Sequence, residues 1–99
     1  MQLEYASRDL ERTCTDERAM QKKVGAQIAK TLKLRITELR RAVEMGDLLL
    51  GTGRWEQMKG DRAGEWSARL SANWRLVVQP VDREVVTVLV VELIDYHKR

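Results

Sequence analysis

Seven apolar residues, Met20, Val24, Ile28, Leu32, Ile36, Leu39 and Val43, step along this chain by four, four, four, four, three and four positions. That spacing keeps all seven on one stripe of a helix with 3.6 residues per turn and predicts a long amphipathic helix. Asp16 and Glu17 fall in its expected first turn, where carboxylates meet the positive end of the helix dipole, and Gly46 is placed to stop it. Upstream, Ser7 is a natural cap for a short helix over residues 8–13, with Leu3 and Tyr5 in an extended N-terminal strand. A helix with one apolar stripe has to bury it, and the second half of the chain supplies the surface.

From Glu65 the period changes to two. Trp66, Ala68 and Leu70 alternate with Ser67, Arg69 and Ser71; beyond Ala72-Asn73, Trp74, Leu76 and Val78 alternate with Arg75, Val77 and Gln79. This pattern predicts an antiparallel hairpin whose second strand is closed by Pro80, followed by a turn at Asp82-Arg83. Residues 85–93 form a β-branched run apolar on both faces, as a strand inside a sheet requires. Residues 51–64, punctuated by Gly51, Gly53, Gly60 and Gly64, predict a loop. Strand, helices, then three strands give an α+β domain of about four strands, mainly antiparallel, with the helices on one face of a curved sheet. The other face carries Arg69 and Arg75 and is left open.

A length of 99 residues allows one small core and therefore one domain. With 43% hydrophobic and 33% charged residues and a single proline, a disordered or low-complexity chain is excluded. The nearly apolar run at residues 85–91 is far shorter than the roughly 20 residues of a membrane-spanning helix. The segment Met1-Gln2-Leu3-Glu4-Tyr5 has neither the basic nor the apolar region of a secretory signal, so a cytoplasmic protein is expected. Cys14, the only cysteine, rules out an internal disulfide and is expected to be a packed residue without a redox task. Net charge is only +3, but between Arg18 and Arg41 eight cations face the single acid Glu38. Lys22, Lys23, Lys30 and Lys33 in that run form either a track for a phosphate backbone or simply a solvated helix face.

Three short motifs carry the remaining chemistry. His97, the only histidine, follows Asp95 and Tyr96 directly after the run expected inside the sheet. An imidazole is the natural proton donor or acceptor near neutral pH, although a histidine so near a chain end is commonly a plain tail residue. Lys59-Gly60-Asp61-Arg62-Ala63-Gly64 sets two cations among glycines, as a phosphate site or a charged turn would.

Taken in order, Lys59-Gly60-Asp61-Arg62-Ala63-Gly64-Glu65-Trp66-Ser67, Ala72-Asn73-Trp74-Arg75-Leu76 and Asp95-Tyr96-His97 resemble the HigB branch of the RelE/ParE toxin superfamily. The resemblance implies that superfamily's fold and a bacterial toxin–antitoxin module. In such a module the toxin enters the ribosomal A site and cuts messenger RNA, and a HigA-type antitoxin holds it inactive. It assigns Lys59, Arg75, Asp95, Tyr96 and His97 to an RNA-cleaving site that needs neither metal nor cofactor.

The residue types suit that chemistry. Cleavage directed by the ribose needs a base for the 2′-hydroxyl proton, an acid for the leaving 5′-oxygen, and cations for the phosphorane charge. His97 serves as acid or base, Lys59 and Arg75 as cations, Tyr96 as a stacking or orienting ring, and Asp95 as an orienting carboxylate. Arg62 and Arg69 are expected to help hold RNA. Where HigB-type toxins commonly carry a histidine, three residues before the motif lysine, this chain has Glu56, a carboxylate able to act as the base. That substitution keeps open a catalytically weakened homologue serving as an antitoxin-binding partner, and the superfamily itself keeps open a ParE-like inhibitor of DNA gyrase. Trp66 and Trp74 alternate in register with core positions and are expected inside, whereas Trp55, beside Glu56, is free on sequence grounds to contact RNA or antitoxin.

Overall fold

The computed structural model describes residues 1–96. Strand β1 (Gln2–Tyr5) leads into helices α1 (Arg8–Thr15), α2 (Glu17–Val24) and α3 (Ala26–Arg41), then a 3-10 segment at Met45–Leu50. Strands β2 (Glu56–Gln57), β3 (Trp66–Arg69), β4 (Trp74–Val81) and β5 (Thr87–Asp95) follow, with one 3-10 turn at Gly60–Arg62 between β2 and β3.

The capping residues divide the helical region. Ser7 caps α1, its Oγ accepting the Leu10 N–H at 3.1 Å. Asp16 leaves the helical region at φ −110° and ψ 117° and caps α2 by accepting the Arg18 N–H at 3.3 Å. The long helix expected from the apolar stripe is two helices, because Gly25 at φ 87° and ψ 161° interrupts it. Gly25 donates its N–H to the Gln21 carbonyl and accepts from the Ala29 N–H, closing α2 and opening α3 with both of its own backbone groups bonded. The stripe survives the break: Met20, Val24, Leu32, Ile36 and Leu39 are all buried and Ile28 is half-buried. Its last member departs. The helix ends at Arg41 instead of reaching Gly46, Ala42 turns inward, and Val43 is 74% exposed. At that end the Met1 amino group donates to the carbonyl oxygens of Leu39, Arg40 and Ala42, a cation at the negative pole of the helix.

The five strands run in the order β1-β5-β4-β3-β2, with β1 parallel to β5 and every other pair antiparallel. The run at residues 85–93 predicts an interior strand, and β5 does lie between β1 and β4. The additional strand is β2, two residues of the expected loop that pair Glu56 with Ser67 and Gln57 with Trp66. Pro80 does not close β4; it pairs with Val88 and the strand continues to Val81. Because β3 begins opposite Val78, that part of β4 has a bare edge where the missing proline N–H costs nothing.

Alternation along the strands places Ala68, Leu76, Val78, Val88 and Val90 in one core with Met20, Leu32, Leu39, Trp55 and Trp66. Trp74 packs against that core from its rim, and Trp55, only 4% exposed, is a core residue rather than a surface contact. Cys14 is buried, and burial pushes its thiol up to about 11. The opposite face is not wholly open. The turn after β2 swings across it, Arg62 pairs with Glu92 on β5, and Val77, the cross-strand partner of Glu92, is fully buried.

Candidate active site

Ser67, Arg69 and Arg75 alternate with core residues and therefore project from the sheet face away from the helices. Arg69 and Arg75 sit directly opposite each other in the β3–β4 register. Like charges in that position repel, and the arrangement is relieved by a carboxylate or a bound anion nearby. Glu56, paired with Ser67 one strand further out, supplies the carboxylate. Arg54, Glu56, Ser67, Arg69 and Arg75 line one cavity of about 80 Å³. Its size is that of a phosphate group rather than a nucleoside, and three guanidinium groups against one carboxylate leave it positive.

Each wall of this cavity is fixed by its backbone. Arg54 adopts a left-handed conformation at φ 53° between two pinned neighbours. The Gly53 carbonyl accepts the Arg69 N–H at 3.3 Å, and Trp55 is anchored in the core. Gly53 itself has no room for a side chain: a Cβ there would stand 2.6 Å from Trp55 Nε1 and 2.8 Å from Glu38 Oε1. Arg75 is held by its own hairpin turn, Nη1 donating to the carbonyls of Ser71 at 2.7 Å, Trp74 at 3.0 Å and Ala72 at 3.3 Å. Its guanidinium carbon lies 5.7 Å from the centre of the Tyr96 ring, a cation–π contact.

The other residues singled out in the sequence fall in three places. Tyr96 is tied to the start of β4 by its N–H, which donates to Asn73 at 3.0 Å, and so shares the Arg75 side of the sheet. Asp95 pairs with Trp74 and by alternation lies on the helical side. Lys59 opens the turn at Gly60–Arg62, exposed and outside the cavity lining. Arg62 is already committed: its Nε lies 2.6 Å from Glu65, and Glu92 takes another of its nitrogens. The bonds to Glu92 and then Glu65 raise its pKa further.

The helical cations form a separate population. Lys22 and Lys23 line an open groove of about 820 Å³ between α1 and α2 together with Asp9, Arg12, Asp16 and Arg18. Lys30 is exposed on α3, and Lys33 pairs with Glu17 at 2.8 Å, holding that carboxyl below its ordinary range. All four belong to the helical layer, across the sheet from the cavity. His97 lies outside the described residues. Sequence reasoning did not assign Arg54 or Ser67 to the site: Arg54 lies outside every motif, and Ser67 enters only as the last residue of the motif at residues 59–67.

Among the described residues no group of three or more histidine, cysteine, aspartate or glutamate side chains is arranged to hold a metal ion. No helix among them is long and apolar enough to cross a membrane.

No protein-family model matches the chain. Among curated proteins it is 30% identical over 81 residues to an endoribonuclease HigB of Proteus vulgaris, covering 82% of this chain and 85% of that protein. The chain belongs to the RelE/ParE toxin superfamily, in its HigB-like branch. Solved structures agree on the fold. A YoeB/ParE toxin from Agrobacterium tumefaciens superposes with a TM-score of 0.69 at 21% identity, covering 96% of this chain and 98% of that one. The toxin fold of a YoeB–YefM complex from Staphylococcus aureus gives 0.65 at 16% identity, covering 95% and 94%. In this chain the fold sets helices on one face of a mostly antiparallel sheet, and the arginine-lined cavity lies on the other.

Proposed function

We propose that this chain is the toxin of a type II toxin–antitoxin system, a ribosome-dependent endoribonuclease that cuts messenger RNA and so stops translation in the cytoplasm. The observation that carries the proposal is the phosphate-sized cavity where Arg54, Arg69 and Arg75 face Glu56. The name of the Proteus vulgaris relative supports it.

The chemistry is metal-independent attack by the 2′-hydroxyl. Glu56 removes the hydroxyl proton, the 2′-oxygen forms its bond to phosphorus, and the bond to the 5′-oxygen breaks. The leaving 5′-oxygen takes a proton from His97, and the products are a 2′,3′-cyclic phosphate and a free 5′-hydroxyl. Arg75, held by its hairpin turn, stabilises the phosphorane charge from a preset position, and Arg69 and Arg54 add positive charge beside it. Tyr96, stacked on Arg75, orients the phosphate or an adjacent base. Lys59, in the turn after β2, would contact the strand, and Asp95, on the helical side of the sheet, would set the position of the tail. Lys22, Lys23, Lys30 and Lys33, on the far layer, add salt-sensitive attraction to the ribosome rather than chemistry. A HigA-type antitoxin neutralises the toxin; the solved relative bound to YefM supports an antitoxin partner.

The test is to add the purified chain to a translating extract and map breaks in the messenger by primer extension, with a gyrase supercoiling assay in parallel. Breaks that appear only on ribosome-bound messenger are expected. Loss of supercoiling without breaks means a ParE-like gyrase inhibitor, and neither effect means a weakened homologue retained for antitoxin binding.

A further inference from the structure

A second cavity, of about 270 Å³, adjoins the first and shares Arg54 and Arg69 with it. Its other walls come from α3, through Thr31 and Arg35, from the loop before β2, through Thr52, and from the β3–β4 turn, through Ser71. It lies at the β2 side of the sheet, where the strands end and α3 passes alongside. We propose that this cavity is a subsite for the nucleotide next to the scissile one, receiving its phosphate and ribose as the RNA strand leaves the reaction cavity.

Three properties of the walls support a sugar-phosphate ligand. Arg54 and Arg69 line both cavities, so successive phosphates of one strand would meet the same two basic residues. The remaining polar groups are mainly hydroxyls, which bond equally well to phosphate and ribose oxygens. Ser71 Oγ already accepts the N–H groups of Asn73 at 3.3 Å and Trp74 at 3.1 Å, which leaves its O–H as a donor aimed by the turn.

Part of the cavity wall is tied together by side-chain bonds. The Arg35 side chain is only 11% exposed, bonded to Glu38 at 2.6 Å and through Nε to the Arg69 carbonyl at 3.4 Å. Arg35 therefore couples α3 to the β3 residue shared by both cavities, and Glu38, pressed against Gly51 and Gly53, fixes the loop that carries Thr52 and Arg54. A preformed wall costs little entropy on binding, which distinguishes this surface from the exposed lysines Lys22, Lys23 and Lys30 of the helical layer.

The inference rests on the ribonuclease reading, and its test separates the two. The probes are short RNA oligonucleotides with a 2′-O-methyl group at the scissile position, which cannot be cut, in lengths increasing by one nucleotide on either side. Affinities are measured by chemical-shift titration against the parent chain and against a Thr31→Val, Thr52→Val variant, which keeps side-chain shape and every cation. For the parent, one added nucleotide on one side should tighten binding roughly tenfold. It should also steepen the salt dependence by about 0.7, the contribution of one further phosphate on a single strand. The variant should lose most of the affinity gain yet match the parent on the shortest probe, which does not reach the second cavity. Equal affinity for all lengths in the parent, or an undiminished gain in the variant, overturns the subsite. If the length-dependent gain appears and depends on the two threonines while no messenger is cut, the ribonuclease reading falls and the subsite stands.

Discussion

Glu56 on β2 and Arg75 on β4 line the same cavity although β3 runs between their strands. The junction is made by β3, whose Ser67 pairs with Glu56 on one side and whose Arg69 pairs with Arg75 on the other. The proposed base and the proposed phosphate-binding cation thus stand on strands that β3 holds in register. Glu56→Gln should lower single-turnover cleavage by about 10²-fold or more while leaving RNA affinity within a few fold. A Gln variant that cuts faster and binds more tightly would instead show Glu56 repelling phosphate. Carboxylates as a class titrate about two units below imidazoles, so Glu56→His should move the acid limb of the pH–rate profile upward.

Two glycines separate stability from chemistry. Gly25, at φ 87° and ψ 161°, has open space where a side chain would begin, with nothing within 4 Å of a Cβ, so Gly25→Ala costs backbone strain only, about 1–3 kcal/mol. Its denaturation midpoint should fall while cleavage per folded molecule is unchanged. Gly53→Ala drives a methyl group into Trp55 and Glu38, and overpacking of this kind costs about 1–3 kcal/mol. Because Arg54 is the next residue, this variant should lose both stability and cleavage.

The same two glycines mark what the sequence makes legible. The apolar stripe from Met20 to Leu39 reports which side chains are buried, and it continues through Gly25 because both helices turn the same side inward; periodicity therefore locates the core but not the break. The hairpin is readable because Trp66, Ala68, Leu76 and Val78 alternate with polar or outward residues over whole strands. Two residues show no period, so β2 is hidden, and with it the pairing that brings Glu56 to Ser67. Arg54 is hidden for another reason: its place depends on a left-handed φ imposed by the packing of Gly53 and Trp55, contacts with residues distant in the chain. Trp55 reads as a candidate RNA contact because its neighbours are polar, whereas the fold turns it inward against Glu38 and Gly53.

Arg62 is an expected RNA contact on sequence grounds, and the structure gives it two carboxylate partners, Glu65 and Glu92. An ion already neutralised adds little to counterion release. Arg62→Ala should therefore leave the salt slope of RNA binding unchanged, whereas Arg69→Ala should reduce it by about 0.7. Binding isotherms across a salt series compare the two directly, and a reduced slope for Arg62→Ala would return that residue to the RNA-binding set.

Burial raises the Cys14 thiol to about 11 from an ordinary value of 9.0. Between those values the unfolded chain binds fewer protons at this position than the folded one, so the contribution of Cys14 to stability is full below about pH 9 and is lost as pH rises toward 11. The loss is at most about 1.4 kcal/mol per pH unit. Chemical denaturation from pH 8 to 11 should show a steeper decline for the parent than for Cys14→Ala. The native thiol should also resist alkylation until the chain unfolds.

The most direct measurement is single-turnover cleavage of ribosome-bound messenger at saturating ribosome, comparing Arg75→Ala with a variant in which Lys22, Lys23, Lys30 and Lys33 are all alanine. If the cavity on the β2–β4 face is the cleaving site, Arg75→Ala loses about 10²-fold or more, while the four-lysine variant stays within a few fold of the parent. Cleavage by folded Arg75→Ala at close to the parental rate would contradict the assignment.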